Sequence, residues 1–338
     1  MKKIVIGVDV SKEKLDFFFQ QGEKQGKECT LSNSTPAIKR SLKTTLKELG
    51  CQTSEVLVCA EYTGQYTYPL SCACEELGLD LWLENPAQIK HSSGIQRGKN
   101  DRLDARRIAA YAHRFQDKAR LFSIPEKNVA SLKHLISERD LYITDKAKYQ
   151  GQLRDQERFM STQDYKRKGK RLKELMECLE KTIATIEQEI QQLIDNDDTL
   201  SNQHQLLCSI DGVGERTAVK MIVSTNAFKD FNCARKFSCY AGVAPFQYTS
   251  GSSIHSKNRV SQRADKGMKS LLHMAALVVA TRKKEGELRE YYLRKVDERK
   301  NKMLVLNAVR AKLVARMFAV IKNNRPYEKN YQFCLQIS

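Results

Sequence analysis

Apolar positions follow two different periods along this chain. Up to Phe115, short strand-like runs alternate with stretches of helical spacing. Lys3–Val10 and Leu15–Gln20 are apolar runs joined by a short polar turn, and Glu28–Asn33 predicts a third strand, so the chain opens with an antiparallel meander. Pro36 starts a helix to Leu49, Val56–Glu61 is a buried strand, Gln65–Leu77 is a helix closed by Gly78, and Leu79–Glu84 is a strand ended by Pro86. Within Asn100–Phe115, Leu103, Ile108, Ala109, Tyr111 and Ala112 recur at helical intervals.

Beyond that point the spacing is mostly helical. Pro125 suits a first helical turn, and the helix it opens runs toward Met160. A polar break, Ser161–Lys170, precedes Leu172, Met176, Leu179, Ile183, Ile186, Ile190 and Leu193, which step alternately by four and three as an a/d seam does. Two helices joined by a break predict a coiled-coil arm over 125–200, antiparallel or a dimer seam, with the basic run Lys166–Arg171 at its tip. Asn196–Asn202 is polar and without apolar period, a linker. Met268–Arg282 and Asn307–Lys322 are amphipathic helices of a third, all-α region, 201–338. The order β-β-β-α-β-α-β-α over 1–124 is that of a ribonuclease H-like domain, so the predicted fold class is α/β plus all-α.

Composition narrows the partners. No apolar run approaches the roughly 18 residues of a membrane span, and no signal peptide is expected. The ten cysteines are scattered, several inside apolar runs such as Leu57–Ala60, and read as reduced thiols of a cytoplasmic protein. Cys72 and Cys74, the one close pair, have no second pair or nearby histidine and read as packing. The 58 Lys and Arg exceed the 40 Asp and Glu by 18 charges, and residues 251–338 alone hold 20 of the first against 7 of the second. Such a basic quarter suits a phosphate backbone, although an anionic membrane face or a solvated helix fits charge alone equally well.

Four carboxylates carry the clearest chemistry. Asp9 lies in the middle of an apolar strand, where an ionised acid is costly without a compensating cation. Glu61 ends another strand, and Asp101 and Asp104, three apart, share one helix face. Converging, the four would make a pocket of hard oxygen ligands suited to Mg²⁺ or Mn²⁺; two such ions about 3.5–4 Å apart stabilise both the attacking and leaving oxygens of a phosphoryl transfer. Taken singly each acid has a plainer role: Asp9 closing a turn with Ser11, Glu61 at a strand end, Asp101 and Asp104 capping a helix. Arg102, Arg106 and Arg107 interleave them as phosphate contacts or ion-pair partners.

Two further segments bear on nucleic acid. Gly212-Val213-Gly214 just before a helix lets backbone amides point at a phosphate, as in helix-hairpin-helix modules, with Arg216 beside it; a tight helix–helix turn is the plainer meaning. Tyr240–Pro245 and Tyr248–Ser253 form a hydroxyl-rich loop between helices that opens onto Lys257, Arg259, Arg263, Lys266 and Lys269, cations placed to bind nucleic acid. A serine in such a loop accepts a phosphoryl group if a base removes its proton; His255 is near in sequence, and a flexible Ser/Gly loop is the plainer reading.

These residues carry a family resemblance. Gly7-Val8-Asp9-Val10-Ser11-Lys12, Ala60-Glu61-Tyr62-Thr63-Gly64, Asn85-Pro86 and Lys99–Arg106 resemble the DEDD motifs of a class of bacterial insertion-sequence transposases related to the Piv DNA invertases. Gly212-Val213-Gly214, Tyr240–Pro245 and Ser250-Gly251 resemble the C-terminal transposase domain of the same family, in the same order. The resemblance implies a RuvC-like domain whose Asp9, Glu61, Asp101 and Asp104 bind Mg²⁺ or Mn²⁺, a coiled-coil arm, and a C-terminal domain whose Ser250 attacks a DNA phosphate and forms a covalent phosphoserine link. Ser252 and Ser253 follow closely enough to be alternative nucleophiles. It further implies donor and target DNA, a structured noncoding bridge RNA as guide, and a homo-oligomer, dimer or tetramer, with sites shared between subunits. The competing expectations are a RuvC-like nuclease that uses activated water, an invertase without an RNA guide, and a non-catalytic nucleic-acid scaffold.

Overall fold

A computed structural model describes residues 2–22, 25–92, 94, 100–247, 249–250, 254–255, 259–261 and 264–328. They divide into two compact units, Met1–Ile124 and Pro125–Ser338. Among the described residues no helix is long and apolar enough to cross a membrane.

The first unit is built on a five-stranded sheet of order β3-β2-β1-β4-β5: β1 is Ile4–Val10, β2 Lys14–Gln21, β3 Gln25–Ser32, β4 Val56–Glu61 and β5 Asp80–Glu84. The first three strands are antiparallel, and β4 and β5 run parallel to β1, the ribonuclease H-like order expected from the sequence. Alternation along each strand sends its apolar residues to both faces. On one face Ile4, Ile6, Val8, Phe17 and Phe19 pack with Ile38 and Leu42 of α1 (Thr35–Glu48) and Leu70 and Cys74 of α2 (Tyr68–Leu77). Gly78 ends α2 in the left-handed conformation, as its position after the apolar run predicted. Cys74 is buried, and burial pushes its thiol up to about 12, so it is packing material. On the other face Val5, Leu57, Cys59 and Trp82 pack with Ile89 of α3 (Pro86–Ser92) and Ile108 and Ala112 of α4 (Asp101–Arg114).

The second unit is helical. Its first two helices, α5 (Lys127–Asp155) and α6 (Thr162–Asp195), run antiparallel: Tyr165 donates from its hydroxyl to the Leu153 carbonyl at 2.8 Å, Lys146 pairs with Glu180 at 2.7 Å, and Leu132 and Ile136 share a core with Ile186 and Ile190. The predicted polar break at Ser161–Lys170 is therefore too long. Only 156–161 separates the helices, and Ser161 caps α6 by accepting the Asp164 amide at 3.1 Å, so the basic run Lys166–Arg171 is helical. The Asn196–Asn202 linker is likewise corrected. Asp197 accepts the Leu200 amide at 3.0 Å and starts α7 (Asp198–Cys208), which sends Leu200 and Gln203 inward. Then come α8 (Glu215–Ser224), α9 (Ala234–Tyr240), four strand fragments, α10 (Lys266–Leu277) with a π-helical turn over Val278–Arg282, α11 (Glu287–Asp297) and α12 (Lys302–Asn323). Leu207, Met221, Phe237, Leu272, Val309, Leu313 and Met317 form their common core.

Candidate active site

Register brings the acids together. Asp9 of β1 stands opposite Asp16 of β2, Glu61 of β4 opposite Glu84 of β5, and the β1–β4 ladder ends with Val8 beside Ala60, so Asp9 and Glu61 follow at its open end. Since every second residue shares a face, Asp16, Asp9, Glu61 and Glu84 form one row across the sheet, on the side covered by α4. Gly7, two residues before Asp9, is what lets α4 lie so close. A Cβ there would overlap the Ala105 carbonyl oxygen and the Ala109 amide nitrogen. The first turn of α4 then carries Asp101 and Asp104 to the end of this row, with Asn100 capping the helix by accepting the Arg102 amide at 3.2 Å. Acids in a first turn also favour the helix dipole.

The electrostatics register that convergence. The Asp9 carboxyl is pushed up to about 6, first by burial and then by the carboxylates of Asp101, Asp104, Glu61 and Asp16. Around the row, protein cations and donors hold Asp16, Asp101, Asp104 and Glu84. Lys14 Nζ lies 3.0 Å from Asp16 and 2.8 Å from Asp101, Thr30 donates to Asp16 at 2.5 Å, Arg107 pairs with Asp104 at 2.6 Å, and the Tyr111 hydroxyl donates to Glu84 at 3.1 Å. Arg106 instead pairs with Glu28 and lies over the Phe18 ring. The donor set is entirely carboxylate oxygen, and a cluster that raises its own central acid is relieved by a divalent cation, so these residues fit Mg²⁺ or Mn²⁺. Among the described residues no three acids are already gathered as a metal cage, with Lys14 on Asp101 and Arg107 on Asp104.

Sequence reasoning found four of these acids and missed Asp16 and Glu84. The signal was present: a three-residue turn after Val10 fixes position 16 across from position 9, and Glu84 ends a strand as Glu61 does. Tyr66 and Tyr68, exposed just after Glu61, were not singled out in the sequence. The plainer role for Asp9, a turn with Ser11, is not what forms. Ser11 closes the hairpin onto Lys14, donating from Oγ to the Lys14 carbonyl at 2.7 Å.

The serine segment is a hairpin and not a loop between helices. Pro245–Phe246 (β6) pairs with Arg259–Val260 (β9), and Thr249–Ser250 (β7) with Ile254–His255 (β8), in antiparallel register, so among the described residues Ser250 is paired with Ile254. Phe246, Thr249, Ile254 and Val260 are strand formers, which explains the pairing. Ser252, Ser253, Lys257 and Arg263 lie outside the described residues. The hairpin is rooted in the helical core: Val243 is buried, its carbonyl accepts from Asn307 Nδ2 at 2.8 Å, and Gly242, at φ +64°, packs against Ala264. Arg259 is exposed on β9, and Lys266 and Lys269 stand in the first turns of α10, which Asp265 caps.

The Gly-Val-Gly turn divides. Gly212, at φ +85°, packs against α10, where a Cβ would come 2.9 Å from the Ala275 carbonyl oxygen and overlap Val279. Gly214 is the N-cap of α8 with open space at its Cα. Arg216 pairs with Glu187 at 2.7 Å.

Comparison with known proteins agrees in order and extent. The family model described as a DEDD transposase of the IS110 type matches residues 6–159, and that of the IS116/IS110/IS902 transposase family matches 204–293. A pilin gene-inverting protein of Moraxella bovis is 25% identical over 97% of this chain and 99% of its own length. A probable family 20 transposase of Pseudomonas aeruginosa is 26% identical over 46% of this chain and 45% of its own. A Thermus thermophilus RuvC structure overlays with TM-score 0.27 and 15% identity, covering 35% of this chain and 99% of that one. With both halves matched in sequence order, the chain belongs to the IS110 family of DEDD transposases.

Proposed function

We propose that this transposase breaks and rejoins donor and target DNA through a covalent link to Ser250, with Mg²⁺ or Mn²⁺ held by Asp9, Glu61, Asp101 and Asp104. The observation that carries the reading is the acid row, with the Asp9 carboxyl raised to about 6 by its neighbours. A bound divalent ion supplies positive charge to the non-bridging oxygens of a phosphate in transfer. The protein's own part is to orient it: β1, β4 and α4 fix the carboxylates. On the serine side, the Ser250 oxygen attacks phosphorus, its proton passes to a base, the bond from phosphorus to the leaving sugar oxygen breaks, and that oxygen takes up a proton. Reversal with a different sugar hydroxyl exchanges strands and frees the serine. Arg259, Lys266 and Lys269, with the undescribed Lys257 and Arg263, supply cations for the nucleic-acid backbone, and the α8 amides at Gly214 offer a further phosphate contact. A structured noncoding RNA guide and a homo-oligomer belong to the same proposal and rest on family membership.

The test is a denaturation-resistant protein–DNA adduct on a supercoiled donor. The expected result is an adduct with the native chain that is absent from Ser250→Ala and from Asp9→Asn. Strand exchange at the native rate by Ser250→Ala overturns the serine, and retained cleavage without an adduct points to a nuclease using water. A second reading, site-specific inversion without a guide, is favoured by the likeness to the pilin gene-inverting protein across 97% of the chain. Recombination by ribonuclease-treated protein on inverted sites distinguishes it.

A further inference from the structure

Lys14 touches two members of the acid cluster at once. Its Nζ lies 3.0 Å from Asp16 and 2.8 Å from Asp101. Nothing in the sequence marked it, because a lysine two residues before an acid on a strand reads as a surface pair. Its backbone is fixed by the hairpin turn, with the Ser11 amide donating to the Lys14 carbonyl at 3.0 Å and the Lys14 amide donating to Ser11 Oγ at 3.3 Å. Asp16, only 3% exposed, is anchored on its other oxygen by Thr30, so the ammonium has a fixed base and reaches outward from it to the helix. The carboxylate it reaches on α4 is one of the four read here as metal ligands.

We propose that Lys14 is a resident counter-ion that competes with the divalent metal for Asp101, and so sets the metal concentration at which the site loads. The inference rests on the reading that the acids hold such a metal. An ammonium on a carboxylate oxygen must give up that contact, or share it, before a dication takes the same oxygen, and strongly hydrated Mg²⁺ gains little where a cation already neutralises the ligand. Asp16 is the tether that holds the competitor in place, with Thr30 on one of its oxygens and Lys14 on the other.

Direct Mn²⁺ binding to the full-length protein, read from the electron paramagnetic resonance of the free ion, tests this without any activity assay. Lys14→Met is expected to bind Mn²⁺ about tenfold more tightly than the native chain, and Lys14→Arg to bind within about threefold of it. Because Lys14→Met strands Asp16 beside Thr30 alone, the pair Asp16→Asn and Lys14→Met/Asp16→Asn repeats the measurement without a buried unpaired charge. There the lysine-free member is still expected to bind more tightly, by about threefold, since the ammonium has lost its tether but not its charge. Equal or weaker binding in both lysine-free variants overturns the competitor. A native chain that binds no Mn²⁺, or binds it equally well as Asp9→Asn, overturns the underlying metal reading instead.

Discussion

Asp9 and Ser250 each lie on a β-strand, but different forces hold the two strands. β1 is central in a five-stranded sheet, laddered to β2 and β4 and covered by helices on both faces. The strand of Ser250 is two residues long, paired to one partner and anchored at its base through Val243 and Gly242. Charge explains the contrast. Six acids drawn to one end of a sheet repel one another, and a frame fixed from both faces holds them against that repulsion. A hydroxyl is neutral and carries no such cost, so two short ladders suffice to bear it.

The sharpest way to break the comparison is to remove the charge at its centre. Asp9→Asn is expected to lower strand cleavage by about three orders of magnitude, roughly 4 kcal/mol in barrier, while leaving the metal-free protein at least as stable at pH 7. Cleavage assays and thermal melts on the same preparations check both halves. An Asp9→Asn protein that loses activity and also melts like a core variant would make Asp9 a packing residue.

Next in size is the frame itself. Gly7→Ala forces a Cβ into the backbone of α4 at Ala105 and Ala109. It is expected to cost about 2–3 kcal/mol by overpacking and to weaken Mn²⁺ binding, since α4 carries Asp101 and Asp104. Denaturant unfolding and metal titration of the variant measure the two effects; a native-like metal affinity would mean that the acids do not depend on how closely α4 approaches.

Much of this frame was legible because a buried sheet writes its period into the sequence. Ile4–Val10 and Val56–Glu61 are apolar on both faces, so an acid within or ending them stands out. Asp16 and Glu84 did not stand out, because their meaning lies in cross-strand register, which a strand-by-strand reading does not use. The hairpin around Ser250 was hidden by its glycine, serine and proline, residues that describe loops as readily as tight strand pairs. The start of α6 was hidden for another reason: Lys166–Arg171 is largely solvent-facing, with only Gly169 turned in against Leu153, so no apolar stripe marks the helix.

A smaller effect follows from Asp9 and pH. Its carboxyl titrates near 6 in the folded chain against about 3.8 when unfolded, so between those values the folded state holds the extra proton. The contribution to stability is therefore full below about pH 3.8 and lost as pH rises through 6. Allowing for the part of Asp9 that meets solvent, the metal-free protein is expected to lose on the order of 1–2 kcal/mol by this route between pH 4 and 7. The difference in melting temperature between the native chain and Asp9→Asn should widen over that interval in chelator and narrow when Mg²⁺ is added. A gap independent of pH would mean that the neighbouring acids do not act on Asp9.

The smallest effect separates the two glycines of the Gly-Val-Gly turn. Gly212→Ala places a Cβ against Ala275 and Val279 at a positive φ, so its loss of stability hides any change in binding. Gly214 has φ −97° and ψ 172°, ordinary extended values for any residue, and its Cβ position is open. Gly214→Ala is expected to cost no more than about 1 kcal/mol, the difference between glycine and alanine as N-cap. The same methyl stands where a phosphate would approach the first amides of α8, so affinity for duplex DNA should fall about threefold with an unchanged salt slope, because no cation is lost. Fluorescence anisotropy at several salt concentrations measures both quantities. Affinity equal to the native chain would leave this turn with a packing role only, and would confine backbone contact in the second unit to its cations.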